Sequence, residues 1–394
     1  MKINTSFRLP CGAKLSNRIA KAAMTERLAN SNQHANQKHI NLYKHWSDTG
    51  SGLLITGNIL VDKRYKEATG NIVIEDECGL AQLQKMTKAG TQNGTHLWAQ
   101  ISHAGRQSSI FSTFSPIAPS AIALKKLFLF KKPRAMTSLE IEDVIGRYVY
   151  AAQTCQKAGF TGVQIHAAHG YLLSQFLSPK TNVRTDEYGG TIENRAKVLL
   201  EIIRKTRKAV GHNFPISVKL NSADFQRGGY DEADAFWVIQ ELENLGVDLL
   251  EISGGTYEQV DFFLQRESTR KREAYFLDFA NQVRTRSNIP LMVTGGFRSA
   301  EFSEQVLQNN ELDIIGFGRP YLLDTSFPKS FLDGKIIKDT NINFKLRAAL
   351  DMAEAGYYDY QIHQLANHKP LKLDCNAYFA TLRFTKNEMK GWLR

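Results

Sequence analysis

Short runs of apolar and β-branched residues recur along the chain, and most of them are separated by stretches with helical spacing. The apolar runs span residues 19–24, 53–58, 96–102, 162–167, 216–221, 249–254, 290–296 and 312–319. The clearest helical patterns span residues 192–210, 231–245 and 302–309. Strands that alternate with helices form parallel sheets, and eight such strands close into a barrel. The pattern therefore predicts an α/β fold, a (β/α)8 TIM barrel.

Two regions lie outside this alternation. Residues 7–15 predict a β-hairpin that turns at Cys11 and Gly12 and caps the bottom of the barrel. Residues 344–366 have a helical pattern, with a break expected near Gly356. We therefore expect a barrel domain over residues 1–335 and a C-terminal helical extension, packed on the barrel, over residues 336–394.

One connection is longer than a compact barrel needs. Residues 105–137 separate the third strand from its helix, and they include the basic and apolar stretch 125–134. Long loops without secondary structure in compact domains are often functional. We expect this loop to be a lid over the C-terminal face.

Composition and charge exclude several classes of protein. The net charge is +11, but the basic residues are scattered, with short clusters only at 125–126, 131–134 and 270–272. No groove-reading motif accompanies them, so a nucleic-acid partner is not expected. The 4 cysteines are far apart and form no C-x-x-C, which argues against zinc ribbons, iron–sulfur ligation and a disulfide framework. Without a signal peptide or membrane-length apolar run, we expect a cytoplasmic protein with no membrane partner.

The run that follows the fourth strand carries the most chemistry. It places His166, His169 and Tyr171 within six residues, and Gly170 allows the backbone to bend sharply out of the strand. Parallel α/β folds build their active sites from polar groups at the C-terminal ends of strands. Two imidazoles can hold an oxygen that gains negative charge, and a phenol can donate a proton. This indicates proton-coupled chemistry on a carbonyl or nitro group.

Glycines at the ends of the last two strands indicate a phosphate site. Gly295 and Gly296 end strand seven, and Gly318 precedes Arg319 after strand eight. In barrels of this class these two loops often hold a phosphate through backbone N–H groups, and an arginine can bind it with two hydrogen bonds. The alternative is that the glycines only serve tight turns.

Other strand ends favour a flavin over a sugar phosphate. Gln100 can pair with the edge of a pyrimidine-like ring, and Thr25 can bond a ring carbonyl. Lys219, within an apolar strand, can face the N1–C2 region, where reduced flavin gathers negative charge. The other predicted cofactor contacts from the first two strand ends are Ala23, Met24 and Gly57.

With these residues the chain resembles the old yellow enzyme family of FMN-dependent ene reductases. The resemblance covers residue 15 to about residue 333, and it is most specific over 166–171 (HAAHGY) and 184–195 (RTDEYGGTIENR). It implies a barrel that holds FMN noncovalently, is reduced by NADH or NADPH, and passes hydride from flavin N5 to the β-carbon of an activated alkene. By the same resemblance, His166 and His169 would bind the substrate's carbonyl or nitro oxygen, and Tyr171 would protonate the α-carbon.

The chain also departs from that family. Thr25 stands where one branch carries a redox-active cysteine, and Lys219 stands where many members have arginine, which keeps the charge but loses the bidentate geometry. The sequence contains no cysteine cluster like that of other branches, and we expect no C-terminal nucleotide domain of the kind those branches carry. Electrons are therefore expected directly from a nicotinamide.

Several alternatives stay open on the sequence alone. The barrel could be a flavin-independent, phosphate-binding isomerase or lyase, or a flavin-binding protein without turnover. The two histidines could be a metal site or a packed pair, although no carboxylate or cysteine lies at ligand spacing. The sequence does not fix the physiological substrate, the choice of NADH or NADPH, or whether the chain forms a homo-oligomer.

Overall fold

Eight parallel strands form a closed barrel in the computed structural model, which describes residues 1–124, 129–255, 276–337 and 350–392. The strands are β1 Ile19–Lys21, β2 Leu53–Leu60, β3 His96–Ser102, β4 Gly162–Ala167, β5 Ile216–Asn221, β6 Leu249–Ser253, β7 Leu291–Thr294 and β8 Ile314–Phe317. Each strand pairs with its neighbours in chain order, and β8 pairs with β1. This confirms the predicted (β/α)8 barrel.

Helices surround the barrel in the described part of the chain. They are α1 Gln37–Ser47, α2 Leu80–Gly90, α3 Ser138–Lys157, α4 Leu172–Leu177, α5 Ile192–Val210, α6 Glu232–Asn244, α7 Leu277–Arg284, α8 Ala300–Gln308, α9 Lys329–Leu332, α10 Leu350–Ala366 and α11 Ala377–Trp392. Short strands also occur at Phe7–Arg8, Lys14–Leu15, Ile72–Val73, Ile117–Ala118 and Arg134–Ala135. The helix predicted over 192–210 has the bounds of α5.

Several element ends differ from the prediction for local reasons. Strand β7 ends at Thr294, two residues early, because Gly295 and Gly296 have φ of 104° and 86°. Those backbone conformations are left-handed and incompatible with a strand. Helix α6 begins after Asp231, whose side chain accepts a hydrogen bond from the Asp234 N–H as an N-cap.

The N-terminal hairpin closes the bottom of the barrel, as predicted. Phe7–Arg8 pairs antiparallel with Lys14–Leu15, and the chain turns at Gly12, with φ of 90°. Leu9 and Leu15 are buried against inward-facing residues of the barrel strands. Those residues are Ala20, Leu53, Ile55, Trp98, Leu249, Met292 and Ile314. The lower barrel is therefore apolar and filled, which leaves the opposite end for a polar site.

The C-terminal helices pack on the outside of the barrel and on each other. Helix α10 contacts α1, where the Asn41 side-chain amide donates to the Ala366 carbonyl at 3.1 Å. Helix α10 is continuous from Leu350 to Ala366, so the predicted break near Gly356 is wrong. Gly356 instead permits a close helix crossing, because a Cβ there would lie 3.0 Å from the Ala380 carbonyl oxygen of α11.

Some predicted features fall partly outside the described residues. They include the basic clusters 125–126 and 270–272 and residues 344–349 of the predicted tail helix. The lid role of residues 105–137 and the division of the chain at residue 335 stay predictions. Within the described ranges, no helix has the length and apolar character needed to cross a membrane.

We predict that Gly356→Val lowers the free energy of unfolding by about 1–3 kcal/mol, because overpacking forces α10 and α11 apart. Gly146→Val is the matched control, since a Cβ at that helical glycine meets nothing within 4 Å. We expect the control to stay within about 0.5 kcal/mol of wild type. Thermal or urea denaturation measures both, and equal losses would contradict the close crossing.

Candidate active site at the barrel mouth

A cavity of about 200 Å³ lies at the C-terminal ends of β7 and β8. Five of the predicted cofactor residues line it, namely Met24, Gly295, Gly296, Gly318 and Arg319. The left-handed glycines place backbone amides close to the cavity, and the arginine adds a guanidinium at its edge. Backbone amides and a guanidinium are the groups that bind phosphate. The cavity therefore fits the predicted phosphate site.

Polar side chains form a connected layer inside the upper barrel. The Gln100 amide donates to the Gln164 carbonyl at 2.7 Å, and the Gln164 amide donates to Glu251 at 2.9 Å. Lys219 Nζ lies 2.8 Å from Glu251 Oε1, which also accepts from the Thr294 hydroxyl at 2.7 Å. The predicted residues Gln100 and Lys219 are thus joined through two residues that the sequence reading missed.

Glu251 compensates the positive charge of Lys219. The Glu251 side chain is fully buried and that of Lys219 is 6% exposed, so the pair is largely removed from water. The sequence predicted a cation at the barrel mouth, but the structure pairs that charge with a carboxylate. Inward-facing positions alternate along a strand, so the sequence LLEIS of β6 contained the signal for an inward Glu251.

The turn after β4 brings the predicted catalytic side chains together. Strand β4 ends at Ala167, and His169 and Gly170 both have left-handed φ, at 60° and 76°. Tyr171 then occupies the N-cap of α4. The ring centroid of His166 lies 5.2 Å from that of His169 and 4.8 Å from that of Tyr171.

Both imidazoles are neutral at physiological pH. Burial first, then the neighbouring His169 and Lys219, hold the pKa of His166 well below its usual range. Burial and, to a lesser degree, Lys219 lower the pKa of His169 to about 3. A neutral imidazole carries one N–H and one acceptor nitrogen. No group of three or more potential metal ligands occurs among the described residues.

A carboxylate that the sequence reading missed joins several of these groups. The Tyr171 hydroxyl donates to Glu67, and the Thr25 hydroxyl donates to the same carboxylate at 2.5 Å. The Asn58 amide donates to it at 2.7 Å, while the Asn58 carbonyl oxygen lies 2.8 Å from His166 Nδ1. Glu67 lies in the irregular segment after β2, where no periodic pattern marks it.

The remaining predicted residues are Ala23, which follows β1, and Gly57, which lies within β2 rather than at its end because the strand runs on to Leu60. The Gly57 N–H donates to Glu26 at 2.9 Å, and a Cβ at Gly57 would lie 2.4 Å from both Glu26 Oε2 and the Met24 carbonyl oxygen. Gly57 thus allows the segment after β1 to pass close to β2. Ala23 is partly buried against the apolar cluster of the lower barrel.

Comparisons with known proteins identify the class. The model of the NADH:flavin oxidoreductase / NADH oxidase family matches residues 11–335. The NADH-dependent flavin oxidoreductase iliE of Hypocrea jecorina is 33% identical over 386 residues, covering 90% of this chain and 96% of that protein. Its namesake in Neonectria sp. is 35% identical over 353 residues, but this chain covers only 46% of that protein. Morphinone reductase has the same fold, with a TM-score of 0.71, 25% identity, and coverage of 86% of this chain and 91% of its own.

The chain therefore belongs to the NADH:flavin oxidoreductase / NADH oxidase family. This confirms the resemblance to old yellow enzymes, and it gives FMN as the cofactor with NADH or NADPH as the reductant. The glycine-lined cavity beside the polar layer fits such a cofactor, since it offers a phosphate cradle next to polar side chains. The flavin-independent isomerase or lyase is thereby excluded.

We predict that Lys219→Ala lowers the free energy of unfolding by about 3–5 kcal/mol, because it leaves Glu251 buried without its cation. The double variant Lys219→Ala/Glu251→Gln removes that charge and should recover most of the loss. Urea denaturation of the three proteins measures this. If the double variant were no more stable than Lys219→Ala, the buried pair would not be the cause.

A second prediction concerns pH. His169 has a folded pKa of about 3 against an ordinary value of 6.5, so the unfolded chain binds its proton first as the pH falls. Stability from this group is therefore complete above pH 6.5 and falls below it, by about 2 kcal/mol at pH 5. His169→Gln should remove that part of the stability difference between pH 7 and pH 5. Exposed His212→Gln is the control, and it should leave the difference unchanged.

Proposed function

We propose that this protein reduces activated C=C bonds of small unsaturated carbonyl or nitro compounds, with NADH or NADPH as the source of electrons. FMN, once bound and reduced, supplies the hydride. The observation that carries the proposal is the grouping of His166, His169 and Tyr171 at the end of β4, on the polar side of the barrel. Membership in the family supports the redox half of the reaction.

The two histidines hold the substrate's oxygen in this proposal. Hydride addition to the β-carbon leaves an enolate-like or nitronate-like oxygen with more negative charge than the substrate had. A preorganised donor aimed at such an oxygen is worth about 3 kcal/mol. The burial of His166 excludes water from the same space, which strengthens the interaction.

Tyr171 supplies the proton to the α-carbon. A tyrosine has an ordinary pKa of about 10, so it is protonated at neutral pH and can act as an acid towards a strongly basic carbanion. In the structure its proton points to Glu67, and rotation of the hydroxyl about its C–O bond redirects that proton. A placed acid contributes roughly 10²–10⁴-fold to the rate.

Three groups of residues would hold FMN. The phosphate would be bound by Gly295, Gly296, Gly318 and Arg319, which line the cavity at β7 and β8. Gln100, Lys219 and Thr25 would face the flavin ring. The predicted cofactor contacts beside them would be Ala23, Met24 and Gly57.

The flavin-binding protein without turnover is the remaining alternative. It shares the fold and the cavity, but it has no use for a proton donor beside two neutral imidazoles. Anaerobic NADH or NADPH bleaches the FMN absorbance of a reductase and leaves that of a non-turnover protein unchanged. An enone such as 2-cyclohexenone then restores the absorbance only if the alkene is the oxidant.

We predict that Tyr171→Phe slows alkene reduction by about 10²–10⁴-fold, because the acid is lost while the ring remains. Flavin reduction by NADH or NADPH should stay within about twofold of wild type, since that step needs no proton from the phenol. Anaerobic stopped-flow absorbance separates the two half-reactions.

Tyr188→Phe is the matched control, because its hydroxyl donates to Glu142, away from the β4 turn. It should leave both half-reactions unchanged. An equal fall of the two half-reactions in Tyr171→Phe would contradict the proton-donor role. An unchanged alkene reduction would contradict it as well.

A further inference from the structure

We propose that Glu67 is a positioning residue that fixes the tautomers of His166 and His169. The tautomer part stands on hydrogen-bond geometry together with the neutrality of the two buried imidazoles, and the effect on turnover rests on the proposed function. Glu67 touches neither imidazole; it acts through Asn58.

Glu67 is surrounded by donors. Tyr171 and Thr25 donate through their hydroxyls, and Asn58 and Asn71 donate through their side-chain amides, the last at 3.3 Å. A carboxylate only accepts hydrogen bonds, and its two oxygens have room for about four. Each of these four neighbours therefore has its hydrogen directed at Glu67, and the hydrogen positions of the two hydroxyls and two amides are set by this one residue.

The loop that carries Glu67 is held in place independently. The Asn71 side-chain carbonyl accepts from the Ala68 N–H at 2.8 Å, and the Asn71 amide also donates to the Asn58 main-chain carbonyl at 3.2 Å. Asn71 is buried, with 2% of its surface exposed. The carboxylate is thus fixed relative to β2, which carries Asn58.

Asn58 transmits the effect to His166. Because the Asn58 Nδ2 donates to Glu67, its Oδ1 is turned to His166 Nδ1, at 2.8 Å. An amide oxygen carries no hydrogen, so the hydrogen between the two atoms belongs to Nδ1 of His166. His166 is neutral, because burial holds its pKa well below the usual range. Its Nε2 is therefore an acceptor.

The same logic continues to His169. His166 Nε2 lies 3.3 Å from His169 Nδ1, which must supply the hydrogen between them. His169 is also neutral, so its Nε2 accepts, and the Ser253 hydroxyl lies 2.7 Å from it. All the hydrogen bonds of this chain therefore point the same way. Ser253 donates to His169, His169 to His166, His166 to Asn58, and Asn58 to Glu67. Such chains strengthen each member and resist reversal of any one bond.

This direction decides which histidine donates to an oxygen placed between the rings. The hydrogen between the two rings is on Nδ1 of His169, while Nε2 of His166 presents a lone pair to the same space. The substrate's oxygen would therefore accept from His169 Nδ1. This refines the proposed function, in which both histidines hold the oxygen: His169 is the donor, and His166 orients the ring of His169 while its own hydrogen is bound to Asn58.

The variants Glu67→Gln and Glu67→Leu distinguish the role of residue 67 as a hydrogen-bond acceptor from its role in filling space. The glutamine keeps a carbonyl that can face Tyr171 and Asn58. Its amide then faces Thr25, whose hydroxyl can turn to accept, and only the 3.3 Å bond from Asn71 is lost. The leucine removes the acceptor at similar size. Glu75→Leu and Glu75→Gln are the matched controls, since Glu75 lies eight residues further on and pairs with Arg147 instead.

The measurement is the ¹⁵N NMR spectrum of the histidine rings in the FMN-loaded protein, assigned by substituting His166. Wild type and Glu67→Gln should show the hydrogen of His166 on Nδ1, and Glu67→Leu should lose that single tautomer. The rate of alkene reduction should fall about a hundredfold in Glu67→Leu. In Glu67→Gln the rate should be at least about tenfold higher than in Glu67→Leu. Both Glu75 variants should match wild type.

Two results would overturn the proposal. One is a wild-type His166 with its hydrogen on Nε2, which needs no variant and holds even if Glu67→Leu fails to fold. The other is a Glu67→Leu protein that keeps both the Nδ1 tautomer and the rate. If the wild type reduces no alkene but shows the Nδ1 tautomer, the proposed function fails while the tautomer assignment stands.

Discussion

Pairing of β8 with β1 is the constraint on which the rest of the structure depends. Once the sheet is closed, the C-terminal ends of all eight strands lie on one rim. Met24 after β1, Tyr171 after β4 and Gly318 after β8 are far apart in the chain but share that rim. The hairpin fills the other end with apolar side chains, so polar groups can be exposed to a ligand only at the mouth.

Burial then determines how those polar groups are arranged. A charged or polar side chain inside the barrel is costly unless it is paired. Lys219 is paired with Glu251, and that carboxylate also takes hydrogens from Gln164 and Thr294. Near the β4 turn, Glu67 collects hydrogens from Tyr171 and its neighbours. Each carboxylate therefore joins side chains from several strand ends in one hydrogen-bonded group.

Features encoded within a few neighbouring residues were predictable from the sequence, but the ion-pair and hydrogen-bond partners of the site residues were not. The run from His166 to Tyr171 was found because its chemistry lies within six residues of one turn. Glu251 was missed although it lies directly beside Lys219 in the register of β5 and β6, because register is unknown until the sheet is formed. The break predicted at Gly356 was wrong because a helical glycine can serve a close helix crossing as well as a helix end.

The sequence by itself determined the kind and order of the elements, the closed barrel, and the strand ends that carry polar groups. Those properties follow from apolar periodicity and from glycines with left-handed backbone, which act over a few residues. Only the tertiary structure decided that Lys219 pairs with Glu251 and that Tyr171 and Asn58 donate to Glu67. Hydrogen-bond direction depends on contacts of about 3 Å between residues distant in the chain, and no local pattern encodes such contacts.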